Sequence, residues 1–206
     1  MKYRVAIELN GVVRDINRQI LKYYQKAIDP SFDHEEIDSK DDPFKYCKFD
    51  SKRAKNEFMY IDYPYELYGC ANPMEQNLPT QINNFLAELT NYEDDDIEIL
   101  YFSMNEEALT IQSSYFFLSK IGTRVRTVLF PKTIEELDAH SDVVIASSRD
   151  VIESLPADKF KILIKEESNT GLEKVCNLSY DTLSDLLSDS EIISKLCFMR
   201  KGKENE

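Results

Sequence analysis

The sequence predicts an α/β fold in which a doubly wound parallel sheet carries an inserted subdomain. Short apolar runs alternate with segments of helical spacing from residue 97 onward, and an apolar run with a following helix opens the chain. Between them, residues 29–77 are charged and then rich in aromatic residues. With 206 residues and 42% hydrophobic content, the chain can bury a core of its own.

Five apolar runs predict strands, at residues 3–9, 97–102, 125–130, 143–146 and 160–164. Helical spacing of apolar residues predicts helices at 16–28, 78–89, 107–121, 134–139, 150–154 and 180–187. Pro30 and Gly122 follow two of these helices and are typical helix terminators. Strands and helices that alternate in this way favour right-handed crossovers, and therefore a parallel sheet covered on both faces.

The charged and aromatic segment divides the chain into two parts. Residues 1–28 and 78–206 form the predicted α/β core, and residues 29–77 form an inserted, cap-like helical and aromatic subdomain. Its first half is acidic and then basic, which is typical of a solvated surface. Five aromatic residues follow, Phe58, Tyr60, Tyr63, Tyr65 and Tyr68. They suit either a small core or a tyrosine-rich protein-binding face, and both alternatives stay open.

The charge balance restricts the partners that we expect. The formal net charge is −13 and the isoelectric point is about 4.7, which argues against binding to nucleic acid or to an anionic membrane. Residues 1–9 run directly into a strand pattern rather than a signal peptide, so we expect a cytoplasmic protein, or one built into a particle assembled there. The four cysteines are far apart and only two histidines are present, so we expect reduced thiols and no zinc site.

The residues with chemical potential follow the predicted strands, because open parallel sheets bind ligands beyond the carboxyl ends of their strands. Three loops matter at this edge: Glu8-Leu9-Asn10-Gly11-Val12 after the first strand, Ser103 after the second, and Ser147-Ser148-Arg149-Asp150 after the fourth. Lys132 follows the third strand. The haloacid-dehalogenase-like superfamily has a first strand that ends in acid-x-acid-Gly-Val, a later strand that ends in Ser or Thr, and a following lysine. Residues 8–12, Ser103 and Lys132 resemble these three motifs in the same order. The resemblance covers nearly the whole chain, including the inserted segment, which stands where one class of these enzymes carries its cap.

The resemblance implies a phosphohydrolase site with a nucleophilic aspartate at position 8 and an aspartate acid/base at position 10. It also implies Mg²⁺, held by the nucleophile, a backbone carbonyl and an acid of the fourth loop. This sequence has Glu8 and Asn10 at the first two positions, and only Asp150 as an acid near the fourth. An amide cannot transfer a proton, and the longer Glu8 displaces the attacking oxygen, so we expect no catalytic residue and no resident cofactor.

The same residues also have simpler structural interpretations. Glu8 is predicted to be solvated or paired with Arg14, and residual cation binding by Glu8 and Asp150 stays open. Asn10 and Gly11 suit a tight turn. Ser103 suits a cap at the end of its strand, and Lys132 a surface lysine.

The function predicted from the sequence is therefore that of a catalytically inactive, haloacid-dehalogenase-like protein that acts as a structural or protein-interaction component. Degenerate members of this superfamily occur among bacteriophage gene products. The resemblance thus extends to a head, neck or tail subunit of a virion, within a large homo- or hetero-oligomeric assembly. Two alternatives stay open: a magnesium-dependent phosphatase or nucleotidase, and a module that binds phosphate or nucleotide without turnover.

Overall fold

The fold was analysed in a computed structural model, which describes residues 2–91 and 97–196. Six parallel strands form one sheet in the order β3-β2-β1-β4-β5-β6. The strands are β1 (Tyr3–Glu8), β2 (Ile97–Phe102), β3 (Thr127–Leu129), β4 (Val143–Ala146), β5 (Phe160–Ile164) and β6 (Leu178–Tyr180). The predicted α/β class and parallel sheet are confirmed, and the strand order is that of a Rossmann-like core.

The sequence pattern did not predict one strand of the sheet, β6. β6 pairs with β5 in the register Ile162↔Leu178, at the edge of the sheet. The sequence predicted only a helical region from residue 180 onward, whereas the helix begins at Leu183. A strand of three residues is too short to show an alternating pattern, so its pairing with β5 is decided by the tertiary structure.

Within the described residues, the helices that connect and cover the strands are α1 (Ile16–Ala27), α2 (Lys52–Glu57), α3 (Leu78–Asn91), α4 (Ala108–Ile121), α5 (Ile134–Ala139), α6 (Arg149–Ser154) and α7 (Leu183–Ser188). Residues 192–196 are also helical, and the polar tail at residues 200–206 lies outside the described part of the chain. Gly122 ends α4 with a backbone φ of 68°, which a glycine adopts without steric cost. The helices that the sequence predicted before and after β2, and before and after β4, are confirmed.

Both faces of the sheet are buried, because successive residues of a strand point to opposite faces. In β1, Val5 and Ile7 pack into one apolar cluster with α3 and α7. Ala6, between them, packs into a second cluster with Val151 and Ile152 of α6. The sheet is therefore the centre of the molecule, and its polar residues are concentrated at the ends of the strands.

A third apolar cluster joins α1 to residues 32–68 of the inserted segment. Phe58 and Tyr68 are buried there, and Ile20 and Leu21 of α1 pack beside them. Two π-helical turns, Phe58–Asp62 and Tyr65–Gly69, carry these aromatic residues. Tyr60 and Tyr65 instead stay exposed on the same turns, so the predicted aromatic cluster is partly core and partly surface.

Two further sequence-based expectations concern cysteines and membrane segments. Cys47, Cys70 and Cys176 are free thiols, and Cys197 lies outside the described residues. Within residues 2–91 and 97–196, no helix combines the length and the apolar character that crossing a membrane requires.

Phe58 provides a test of whether the inserted segment folds together with the sheet. Phe58→Ala removes a ring that is 1% exposed, and we expect a loss of about 3–5 kcal/mol in the free energy of unfolding. Urea unfolding followed by circular dichroism measures it, with Ile28→Ala, at a half-exposed position, as the near-neutral control. An unchanged unfolding curve for Phe58→Ala would show that this cluster does not support the fold.

Candidate functional site

The candidate site lies at the carboxyl ends of β1 and β4, where the strand order reverses. Ligands of open α/β sheets bind in the crevice at such a switch point. Here the Glu8 side chain occupies the crevice: its Oε2 accepts the backbone N–H groups of Ser147 and Ser148 at 2.9 and 3.0 Å. Glu8 is 6% exposed. The prediction that Glu8 is solvated or paired with Arg14 is therefore wrong.

The reach of a glutamate side chain explains this arrangement. Ser147 and Ser148 stand directly before α6, and N–H groups at a helix start have no acceptor within the helix. The carboxyl of Glu8 satisfies two of these donors across the gap between β1 and β4. The extra methylene, which removes this position from the chemistry of an aspartate nucleophile, is the feature that brings its oxygen to the loop after β4.

A second carboxyl group lies beside Glu8, and sequence reasoning missed it. Glu166 follows β5, and its Oε1 is buried with no hydrogen-bond partner among the described residues. Burial, and then the neighbouring Glu8 carboxylate, raise the pKa of Glu166 to about 8. Burial also raises the pKa of Glu8 to about 7, although the amides of Ser148 and Ser147 oppose the rise. One feature of the sequence could have indicated Glu166 as a site residue: it stands just beyond the end of a buried strand.

The turn after β1 fits closely around this carboxyl pair. Gly11 has a backbone φ of 77°, which confirms the turn predicted at Asn10 and Gly11. A Cβ atom at Gly11 would lie 2.5 Å from both Glu166 Oε1 and Ser147 Oγ. Only glycine therefore allows the turn to approach Glu166.

Asp150 does not complete the site that the sequence suggested. It lies in the first turn of α6 with its side chain exposed, whereas the carboxyl group beside Glu8 belongs to Glu166. The sequence suggests a pairing of Glu8 with Asp150 for a cation, because Asp150 is the nearest acid in the fourth loop. The sheet instead brings the loop after β5 next to the turn after β1.

Arg14 forms the second half of the site and is completely buried. Its Nε and Nη2 donate to Asn10 Oδ1 at 2.9 and 2.6 Å. Nη1 donates to Ser114 Oγ at 2.6 Å and to the Tyr68 carbonyl at 3.1 Å, and Nη2 also forms an ion pair with Glu106 Oε1 at 2.7 Å. All five N–H groups of the guanidinium are thus satisfied.

The remaining predicted residues surround this arginine. Asn10 donates from Nδ2 to Ser103 Oγ at 3.2 Å, so Ser103 is a buried link between the β1 and β2 loops. Ser114 donates to the second carboxylate oxygen of Glu106 at 2.7 Å. Lys132 is an exposed residue, as predicted, and its Nζ donates to the Glu106 carbonyl. Asn10 therefore belongs to the hydrogen-bonded group around Arg14, whereas Glu8 belongs to the group around Ser147 and Ser148.

The donor set does not fit the magnesium ion that the resemblance implies. Mg²⁺ requires a nearly octahedral shell of oxygen atoms, usually including carboxylates. Two backbone N–H groups point at Glu8 Oε2, so this oxygen faces hydrogen-bond donors, and the other carboxyl group of the pair belongs to Glu166. Within the described residues, no three His, Cys, Asp or Glu side chains are grouped to hold a metal.

Comparison with known proteins adds no family assignment. Neither a model of a protein family nor a curated protein matches this sequence.

The Arg14–Glu106 pair predicts a strong and specific coupling. Arg14→Met leaves the Glu106 charge buried without a partner, and we expect a loss of about 3–5 kcal/mol in unfolding free energy. The double variant Arg14→Met/Glu106→Leu removes both charges and should recover most of this loss. Urea unfolding of the single and double variants measures the coupling. Arg53→Met, which breaks the exposed pair with Glu57, is the control and should change little.

The carboxyl pair predicts that the protein loses stability as the pH rises. Below about pH 4.5 both groups are protonated in the folded and unfolded chains. Above it the unfolded chain ionises first, so stability decreases until the pH exceeds the folded pKa values of about 7 and about 8. We expect Glu8 alone to account for a loss on the order of 3 kcal/mol.

Urea unfolding at several pH values between 5 and 9 tests this titration. Glu166→Gln should flatten the decrease, because an amide does not ionise. Glu173→Gln, at an exposed position, is the matched control and should keep the wild-type slope. A wild-type stability that increases over this pH range would contradict the assignment.

Proposed function

We propose that this chain is a non-catalytic protein of haloacid-dehalogenase-like ancestry that serves as a structural or protein-interaction component. The observation that carries the proposal is the hydrogen bonding of the Asn10 side chain. Its amide oxygen accepts two hydrogen bonds from the buried Arg14, at the position where the resemblance implies a proton-transferring aspartate. An amide in this position orients an arginine and has no proton to exchange with a leaving group.

The geometry of Glu8 supports the same proposal. A nucleophilic carboxylate needs a free oxygen facing a substrate, within about 3–3.5 Å of the reacting atom. Glu8 Oε2 accepts two backbone N–H groups within the crevice, which hold the carboxyl group against the loop after β4. A cavity of about 90 Å³ lies beside Gly11 and Glu166, and neither Glu8 nor Asn10 lines it. The polar groups at the strand ends bind one another and stabilise the fold.

The role of interaction component is supported by the surface. Apolar side chains are exposed on the inserted segment and on the adjacent α4, whereas the chain as a whole is strongly acidic. Monomeric soluble proteins rarely expose contiguous apolar patches of large area, and such patches usually mark interfaces. A place in a virion stays a prediction.

An activity assay tests the proposal directly. Purified wild-type protein is incubated with Mg²⁺ and either p-nitrophenyl phosphate or nucleoside monophosphates, and the phosphate released is compared with that from Glu8→Gln. We expect equal, background rates for both proteins, because no proton carrier is present at position 10. Magnesium-dependent turnover that Glu8→Gln abolishes would establish the phosphatase instead.

A second measurement addresses binding without turnover. Thermal unfolding is followed with and without nucleoside monophosphates, and we expect no shift. A ligand at 100 times its Kd would add about 2.7 kcal/mol of stability, so even moderate binding is visible. A concentration-dependent rise in Tm would favour the nucleotide-binding module over a purely structural component.

A further inference from the structure

The surface of α4 that faces away from the sheet is unusual for an exposed helix. α4 buries Ser114 and Phe117 on its inner side, against Arg14 and the core. Its outer side exposes Leu109, Tyr115 and Phe116, and no charged residue occurs between positions 108 and 119. Uncharged Gln112 and Ser119 are exposed beside them, and an outer helix side without charged residues is unusual on a soluble protein. The outer side of α4 therefore has the character of an interface.

This surface continues onto the inserted segment. The rings of Tyr65 and Phe116 lie 5.0 Å apart, so the second π-helical turn extends the exposed side of α4. Ile61, which is 64% exposed, and Tyr60 lie on the other π-helical turn. We call this surface the α4 face, and its apolar members are Tyr60, Ile61, Tyr65, Leu109, Tyr115 and Phe116.

A groove of about 980 Å³ borders the α4 face, between α2 and the loop after β2. Tyr60 and Ile61 line it, together with two cationic residues, Lys52 and Arg53, and two acidic residues, Glu57 and Glu107. The charged side chains of the groove are thus balanced, although the chain carries a net charge of −13. Two copies of the chain with this net charge repel one another, and the balanced lining of the groove adds no net charge to that repulsion.

We propose that the α4 face pairs with the α4 face of a second copy of this chain in a two-fold symmetric dimer, an inference that rests on the proposed structural role. In such an isologous interface the same surface of each copy contacts its counterpart on the other, so this surface must be complementary to itself. Apolar side chains of α4 meet their counterparts, and Lys52 of one copy meets Glu107 of the other, while Arg53 stays paired with Glu57 within each copy. A partner carrying only acidic or only basic side chains would leave either Glu107 or Lys52 without an opposite charge.

The size of the α4 face is consistent with a dimer. Added together, the exposed fractions of its six apolar side chains equal about three fully exposed side chains. At roughly 200 Å² for each large side chain, the apolar surface available for burial is about 600 Å² per copy. A standard interface buries about 800 Å² on each partner, with a polar rim around an apolar centre. The groove supplies this rim.

Light scattering coupled to size-exclusion chromatography tests the dimer across a range of protein concentrations. We expect twice the chain mass of 24.0 kDa for the wild type and the mass of one chain for Leu109→Glu/Phe116→Glu. Val175→Glu, a matched change at an exposed apolar position outside the α4 face, should keep the dimer. Equal Tm values for the two charged variants show that both are folded, and Leu109→Ser/Phe116→Ser provides a milder change if they differ.

Three results would overturn the inference: a wild-type protein with the mass of one chain at all concentrations, an assembly larger than two copies, or a dimer that survives both double variants. The same samples are assayed for phosphate release. A dimer with magnesium-dependent turnover would overturn the proposed function and leave the interface in place. A monomer without turnover would overturn the interface and leave the loss of catalysis in place.

Discussion

The buried guanidinium of Arg14 is the interaction on which the arrangement of the strand ends depends. A charge with no exposed surface is tolerated only when it is paired and all its donors are bound. Arg14 meets this condition through Asn10 beside it, Glu106 after β2, Ser114 on α4 and the carbonyl of Tyr68. Because each acceptor comes from a different part of the chain, the arginine joins the inserted segment to the sheet.

At the carboxyl end of β1, a buried acidic side chain is likewise held by hydrogen bonds within the protein. Glu8 reaches across the switch point to the amides that precede α6, and Glu166 stands beside it against Gly11. The crevice in which open sheets bind ligands is in this way bridged by the chain itself. Burial of two neighbouring carboxyl groups favours their protonated forms, so this contact depends on pH.

α4 connects the interior of the site with the surface of the molecule. Its inner residues, Ser114 and Phe117, contact Arg14, and its outer residues, Leu109 and Phe116, are half-exposed beside the inserted segment. A helix held this firmly on its inner side presents its outer side in a defined orientation, as an interface requires. α4 therefore links the buried arginine to an exposed apolar surface.

The sequence by itself determined the α/β class, the positions of five of the six strands and the turn at Gly11, because these depend on local periodicity and backbone preference. It also showed that Glu8 and Asn10 stand where the resemblance implies two aspartates. Only the tertiary structure decided that Arg14 pairs with Glu106, 92 residues away, and that Glu166 rather than Asp150 stands beside Glu8. Such partners depend on which strand ends become neighbours, and strand order leaves no local signal in the chain.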